Sequence, residues 1–197
     1  MKSVDLDIAY QLQKKYHAGR NITAYKVGAS NLRSANFFNS NEFLLGGIEE
    51  SCIFHHVVTK DYPIAEVELV CKLQIDTTGC EICEWYLGVE CPEVVVENPR
   101  GSAFICVADN CAAGDLIIFE RVSPEMNHEI KVFINNDLRV IGHIDALVQP
   151  ARAIVDVTLE LIEKYGLPVQ NLSWIATGGL TETFDLKKGD RLRFEYA

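Results

Sequence analysis

The chain runs to 197 residues, 48% of them hydrophobic and 23% charged, with a formal net charge of −10. That length and composition suit a globular protein with one substantial core, so a single domain over 1–197 is the simplest division. Twenty-eight acidic residues against 18 basic ones, with no long Lys/Arg run, argue against nucleic acid or an anionic membrane as main partner. No apolar run reaches membrane-spanning length, and the first residues lack the apolar centre of a signal peptide. Seven scattered cysteines, an odd number, then read as reduced thiols in a cytoplasmic protein. Cys80-Glu-Ile-Cys83 has no second ligand pair, so neither zinc nor redox work is expected of it.

In chain order, Val4, Ile8, Leu12 and Tyr16 fall at helical spacing and predict a helix over 4–16, closed at Gly19. Ile22–Val27 reads as a strand ending at Gly28. The Asn/Ser-rich stretch 31–41, with Phe37 and Phe38 inside it, reads as a loop or short helix over something apolar. Phe43–Ile48 contains Gly46-Gly47 and reads as a turn, and 52–58 as a short strand. Ile64–Leu73 alternates as a strand, followed by a turn at 76–79. Ile82, Trp85, Tyr86 and Val89 suggest a helix over 80–88. Short strands are expected over 93–97 and 103–108, then over 115–122, 129–134 and 138–141. Pro150–Tyr165 is the clearest helix, stopping at Gly166 before Pro168. Leu172–Ala176 is a strand, 177–179 a tight loop, 188–190 a turn, and 191–196 the last strand. Many strands, few helices and no regular β-α alternation indicate α+β with a mixed or antiparallel sheet, which short strands between Gly-rich turns could curl.

The chemistry centres on Glu66 and Glu68, two residues apart on one strand and so on the same face. Two carboxylates held close repel, so one takes up a proton or both face a cation, and oxygen ligands suit Mg²⁺ or Mn²⁺. The plainer alternative is a solvated strand face. Lys26 stands inside an apolar strand, Glu90 inside another apolar run, and Asp109-Asn110 follows a third. Thr177-Gly178-Gly179-Leu180-Thr181 is a small-residue stretch whose backbone N–H groups could hold an anion.

In order, these segments resemble the 2-oxopent-4-enoate hydratase and 4-oxalocrotonate decarboxylase family of the fumarylacetoacetate hydrolase superfamily. The resemblance runs from Ala9-Tyr10-Gln11-Leu12-Gln13 through Tyr25-Lys26-Val27-Gly28-Ala29-Ser30, Glu66-Val67-Glu68, Leu87-Gly88-Val89-Glu90 and Val107-Ala108-Asp109-Asn110. It continues through Gly142-His143 to 175–181 and Lys188-Gly189-Asp190. The chain departs from the family in its compact connections around 73–84 and 92–103, and in Ile144, which stands where a proline follows Gly-His. It also lacks a Gly/Ser stretch before Gly142, and Glu182 adds negative charge after the Thr-Gly-Gly stretch.

The resemblance implies a mixed, curled β-sheet like the fumarylacetoacetate hydrolase C-terminal domain, with a few flanking helices. It implies Glu66, Glu68 and Glu90 as ligands of Mg²⁺ or Mn²⁺; Glu97, which also ends a Val-rich stretch, is a rival for the third position. Lys26 and Asp109 would be catalytic, Asp109 by orienting a ligand or metal-bound water. Lys26, Thr177, Gly178, Gly179 and Thr181 would bind substrate, and His143 is either an acid/base or a structural histidine. The activity implied is a lyase, hydratase or decarboxylase, working on a small 2-oxo acid through a metal-stabilised enolate. The alternatives are a catalytically silent small-acid-binding or partner subunit and an acylpyruvate-type C–C hydrolase. A homo-oligomer, or a complex with a related subunit, is expected.

Overall fold

Two long strands, β4 (Tyr62–Asp76) and β5 (Gly79–Cys91), pair antiparallel and form the centre of the computed structural model. The structure describes residues 3–76, 79–94, 101–125, 129–169 and 172–196. Around the hairpin lie α1 (Ser3–His17), β1 (Ile22–Gly28), α2 (Leu32–Phe38), β2 (Leu44–Glu49), β3 (Ile53–His55), α3 (Ala103–Ala108) and β6 (Asp115–Val122). They are followed by β7 (Glu129–Ile134), β8 (Asp137–His143), α4 (Ala151–Tyr165), β9 (Trp174–Gly179), β10 (Phe184–Leu186) and β11 (Leu192–Tyr196). Among the described residues the main sheet runs β2-β1-β9-β4-β5-β6-β3, with β10 also on β4, and a small sheet runs β11-β7-β8. The main sheet is mixed: β1 with β9 and β3 with β6 are parallel, and the other pairings are antiparallel. This is the α+β, curled-sheet architecture expected.

Strand alternation sorts the residues onto two faces. Tyr25 and Val27 of β1, Val67, Leu69 and Cys71 of β4, Leu87 and Val89 of β5 and Ile117 of β6 join the large core. The other face carries a small separate cluster, Ala24, Ile48, Val70, Leu116, Ile118 and Ala176, drawn from β2 at one end of the sheet to β6 near the other. The sheet curls around this cluster, and Lys26, Glu66, Glu68 and Glu90 lie on the same face by alternation. Tyr10 of α1 stacks on Tyr165 of α4 with ring centroids 3.9 Å apart, tying the two long helices together.

Several sequence expectations are corrected. The α1 stripe points outward: Ile8, Leu12 and Tyr16 are exposed, while Leu6, Ala9, Tyr10, Gln13 and His17 are buried. The buried polar residues are hydrogen-bonded across elements through one nitrogen each, Gln13 Nε2 donating to Leu45 O at 2.6 Å and His17 Nε2 lying 2.8 Å from Asn110 Oδ1. Residues 44–49 form a buried strand rather than a turn, and Gly46-Gly47 are there for close approach. A β-carbon on Gly46 would run into the Asn110 carbonyl, and one on Gly47 would lie 2.7 Å from the His17 ring. Residues 80–88 belong to β5, because cross-strand pairing along β4 overrides a helix-like apolar spacing. Residues 103–108 are helical, capped by Ser102 Oγ, which accepts from Ile105 N–H at 3.2 Å. Residues 177–179 end β9 rather than forming a loop. Pro92–Val94 are not in a strand, and 95–97, with Glu97, lie outside the described residues.

After α3 the chain makes a tight left-handed turn, with φ of 54°, 52° and 52° at Asn110, Cys111 and Ala112. Such non-glycine conformations are costly, and hydrogen bonds hold them here. Asn110 exchanges two 2.8 Å bonds with the Gly47 backbone, and Cys111 Sγ donates to Leu45 O at 3.1 Å.

Candidate metal and small-acid site

Register places the three carboxylates. Glu66 and Glu68 share a face of β4, Glu90 of β5 sits directly opposite Glu66, and Gly88 sits opposite Glu68. Lys26 reaches the same face through β9: it pairs with Ala176, which pairs with Val70 of β4. Small residues on β9 make the room. A β-carbon on Gly179 would collide with the Glu66 carboxylate, and one on Gly178 with Ser30 Oγ.

Glu68 and Glu90 are almost wholly buried. Glu68 Oε2 accepts from Gly178 N–H at 2.9 Å, and Lys26 Nζ lies 3.2 Å from Glu90 Oε2. Glu90 Oε1 is buried without a hydrogen-bond partner. Arg33 of α2 reaches over from the rim: Nη2 lies 3.1 Å from Glu66 Oε1, and Nη1 pairs with Glu182. Burial, then the Glu90 charge, raises the Glu68 carboxyl from its ordinary value, with Lys26 opposing. Burial also raises Glu90, Lys26 pulls it back, Glu66 adds to the rise, and the Gly114 backbone N–H opposes it. For Lys26 burial works downward, but Glu90, Glu68 and Glu66 together outweigh it and hold the ammonium charged.

Lys26, Arg33, Glu66, Glu68, Phe37 and Phe38 help line a cavity of about 380 Å³. Beyond Arg33 lies a second cavity of about 340 Å³, which shares Asn31, Arg33 and Gly179 with the first and includes His143, Thr181 and Glu182.

Among the described residues, no three His, Cys, Asp or Glu side chains are gathered as a ready-made ion cage. Cationic side chains stand against two of the three carboxylates, Lys26 on Glu90 and Arg33 on Glu66. The donor chemistry nonetheless fits a hard divalent cation: three carboxylates share one wall, and one buried oxygen lacks a partner.

The other residues singled out in the sequence fall in different places. Asp109 is the C-cap of α3, and its charge, like that of Lys26, acts on the Cys106 and Cys111 thiols. Thr177 is buried and its hydroxyl donates to Leu69 O at 3.0 Å. Gly178 N–H is engaged by the chain's own Glu68, so the anion held there is a protein carboxylate. Gly179 lines both cavities, while Thr181 Oγ1 accepts from Val67 N–H at 3.1 Å and lines the second. His143 ends β8 and lines the second cavity, not the first. Sequence reasoning missed Arg33. A lone arginine in an Asn/Ser-rich stretch carries no pattern, and only the α2 fold, with Asn31 Oδ1 accepting from Ser34 N–H at 2.8 Å, brings it over Glu66. No helix of the described residues is long and apolar enough to cross a membrane.

No protein-family model matches the chain, and no curated relative matches it either. Solved structures do. The chain is similar to 4-oxalocrotonate decarboxylase from Pseudomonas putida G7, complexed with magnesium and adipate. That match has a TM-score of 0.76 and 17% identity, over 95% of this chain and 81% of that one. The same enzyme complexed with calcium and acetate gives 0.75 at 17% identity, over 100% and 86%. 5-Carboxymethyl-2-hydroxymuconate delta-isomerase from Mycobacterium smegmatis gives 0.57 at 12%, over 89% and 74%. A fumarylacetoacetate hydrolase family protein from Yersinia pestis CO92 gives 0.57 at 13%, over 89% of each. The fold is therefore that of the fumarylacetoacetate hydrolase superfamily.

Proposed function

We propose that this chain, built on the fold of the fumarylacetoacetate hydrolase superfamily, is a divalent-metal-dependent lyase that hydrates or decarboxylates a small 2-oxo or 2-hydroxydienoic acid. One observation carries the proposal. Three carboxylates from two paired strands and a lysine from a third share one face beside a cavity of small-acid size, and a buried Glu90 oxygen has no partner. Glu66, Glu68 and Glu90 would hold Mg²⁺ or Mn²⁺, which supplies Lewis-acid polarisation of the 2-oxo group. Lys26, kept charged by its carboxylate neighbours, attracts the substrate's carboxylate and orients it on that wall. The same ammonium would donate a proton to the carbon next to the 2-oxo group as the enolate collapses. Phe37 and Phe38, with ring centroids 4.9 Å apart, give the cavity an apolar wall that limits water. Asp109, at the end of α3 and acting on the Cys106 and Cys111 thiols that Lys26 also influences, is assigned an orienting role.

The alternative, a catalytically silent relative that binds a small acid, is favoured by the way Lys26 and Arg33 already compensate Glu90 and Glu66. The test is to incubate the protein with Mg²⁺ and a panel of 2-hydroxydienoates, 2-oxo diacids and acylpyruvates, following loss of enol absorbance. Turnover abolished by EDTA and by Glu68→Gln is the expected result. No turnover of any panel member, with retained binding, supports the silent reading, and cleavage confined to acylpyruvates would reassign the reaction to C–C hydrolysis.

A further inference from the structure

We propose that Glu182 sets the substrate class of this site by engaging Arg33, so that a monocarboxylic 2-oxo acid is preferred over a dicarboxylic one. The inference rests on the site reading above. Among the described residues lining the first cavity, the cations are Lys26 and Arg33. Lys26 lies at the buried end on Glu90 and serves the carboxylate next to the 2-oxo group. A second carboxylate at the far end of a substrate would need Arg33, whose side chain is 47% exposed at the rim. Both arms of that guanidinium are already engaged by the protein. Nη2 pairs with Glu66 at 3.1 Å and lies 3.4 Å from Thr181 O, and Nη1 pairs with Glu182. One positive charge therefore faces two negative ones; with Glu66 holding the ion, Glu182 alone still offsets the Arg33 charge, and the rim offers little attraction to an anion.

The space beyond Arg33 points the same way. A substrate tail passing the arginine enters the second cavity, where Asp145 and Glu182 face it along with His143, between apolar Leu32, Ile141 and Leu180. A terminal carboxylate meets like charge there, whereas an uncharged apolar tail meets compatible walls.

Calorimetric titration of the Mg²⁺-loaded protein tests this with two probes that carry no carbon–carbon double bond to hydrate, 2-oxopentanoate and 2-oxoadipate. The wild type is expected to bind 2-oxopentanoate more tightly by roughly fivefold or more, the scale of one like-charge contact at a solvated rim. Glu182→Gln is expected to shift the ratio of affinities toward 2-oxoadipate by about fivefold, and Arg33→Gln in that background to remove the shift. Equal or tighter binding of 2-oxoadipate by the wild type, or an unchanged ratio in Glu182→Gln, overturns the inference and leaves the site reading standing. Failure of both probes to bind overturns the site reading itself, and this inference with it.

Discussion

The Lys26 ammonium lies 3.2 Å from Glu90 Oε2, with the lysine side chain 12% exposed and the glutamate completely covered. Removing one partner of such a pair strands the other charge in a poorly solvated place. Lys26→Met is expected to cost the EDTA-treated protein about 3–5 kcal/mol of unfolding free energy. Replacing both, Lys26→Met with Glu90→Gln, is expected to cost less than the single change, because no charge is then left alone. Urea denaturation measures both, and a double variant as unstable as the sum of the two singles would show that the pair is not coupled.

Two glycines make similarly close approaches with different consequences. At Gly46 the obstructing atom is backbone, the Asn110 carbonyl in the left-handed turn, so β2 and that turn must separate. Gly46→Ala is expected to lose about 1–3 kcal/mol of stability, the usual scale of overpacking. At Gly179 the obstructing atom is the Glu66 carboxylate, the movable end of a side chain. Gly179→Ala is expected to leave the denaturation midpoint nearer the wild type's while weakening divalent-cation binding. Equal effects of the two variants on both readouts would refute the distinction.

Acid should weaken the α1 anchor. Burial holds the His17 pKa below its ordinary value, against the opposing hydrogen bond to Asn110. Below the ordinary histidine range, about 6.5, the unfolded chain binds a proton that the folded protein resists, so stability falls as pH drops through that window. His17→Gln lacks this titration. The stability difference between wild type and His17→Gln should therefore move in the variant's favour from pH 7.5 to 5.5, and denaturation midpoints that shift in parallel would contradict it.

How far the fold was legible depends on whether the deciding contacts were local. Strand β1, helix α4 and the strands at 115–122 and 129–134 follow their own apolar periods, and the structure agrees with them. The errors come where partners far along the chain decide. The stretch 80–88 has helix-like spacing, but pairing along β4 makes it a strand. The Gly46-Gly47 pair suggested a turn, but what it answers to is the crowding of Asn110 and His17. The α1 stripe faces outward because the helix instead buries Gln13 and His17, whose hydrogen-bond partners lie on β2 and after α3. At the site, the Glu-x-Glu spacing showed that two carboxylates share a face. That Glu90 stands opposite Glu66 is a matter of strand register, which only the paired strands display. The engagement of Gly178 N–H by Glu68 and the reach of Arg33 were not readable at all.

Everything proposed for the site depends on Glu66, Glu68 and Glu90 binding one cation together. Calorimetric titration of Mg²⁺ into EDTA-stripped protein tests it most directly. One ion per chain is expected, with binding weakened by at least about tenfold in Glu68→Gln and again in Glu90→Gln. Absence of binding to the wild type, or binding undiminished by Glu90→Gln, would contradict it.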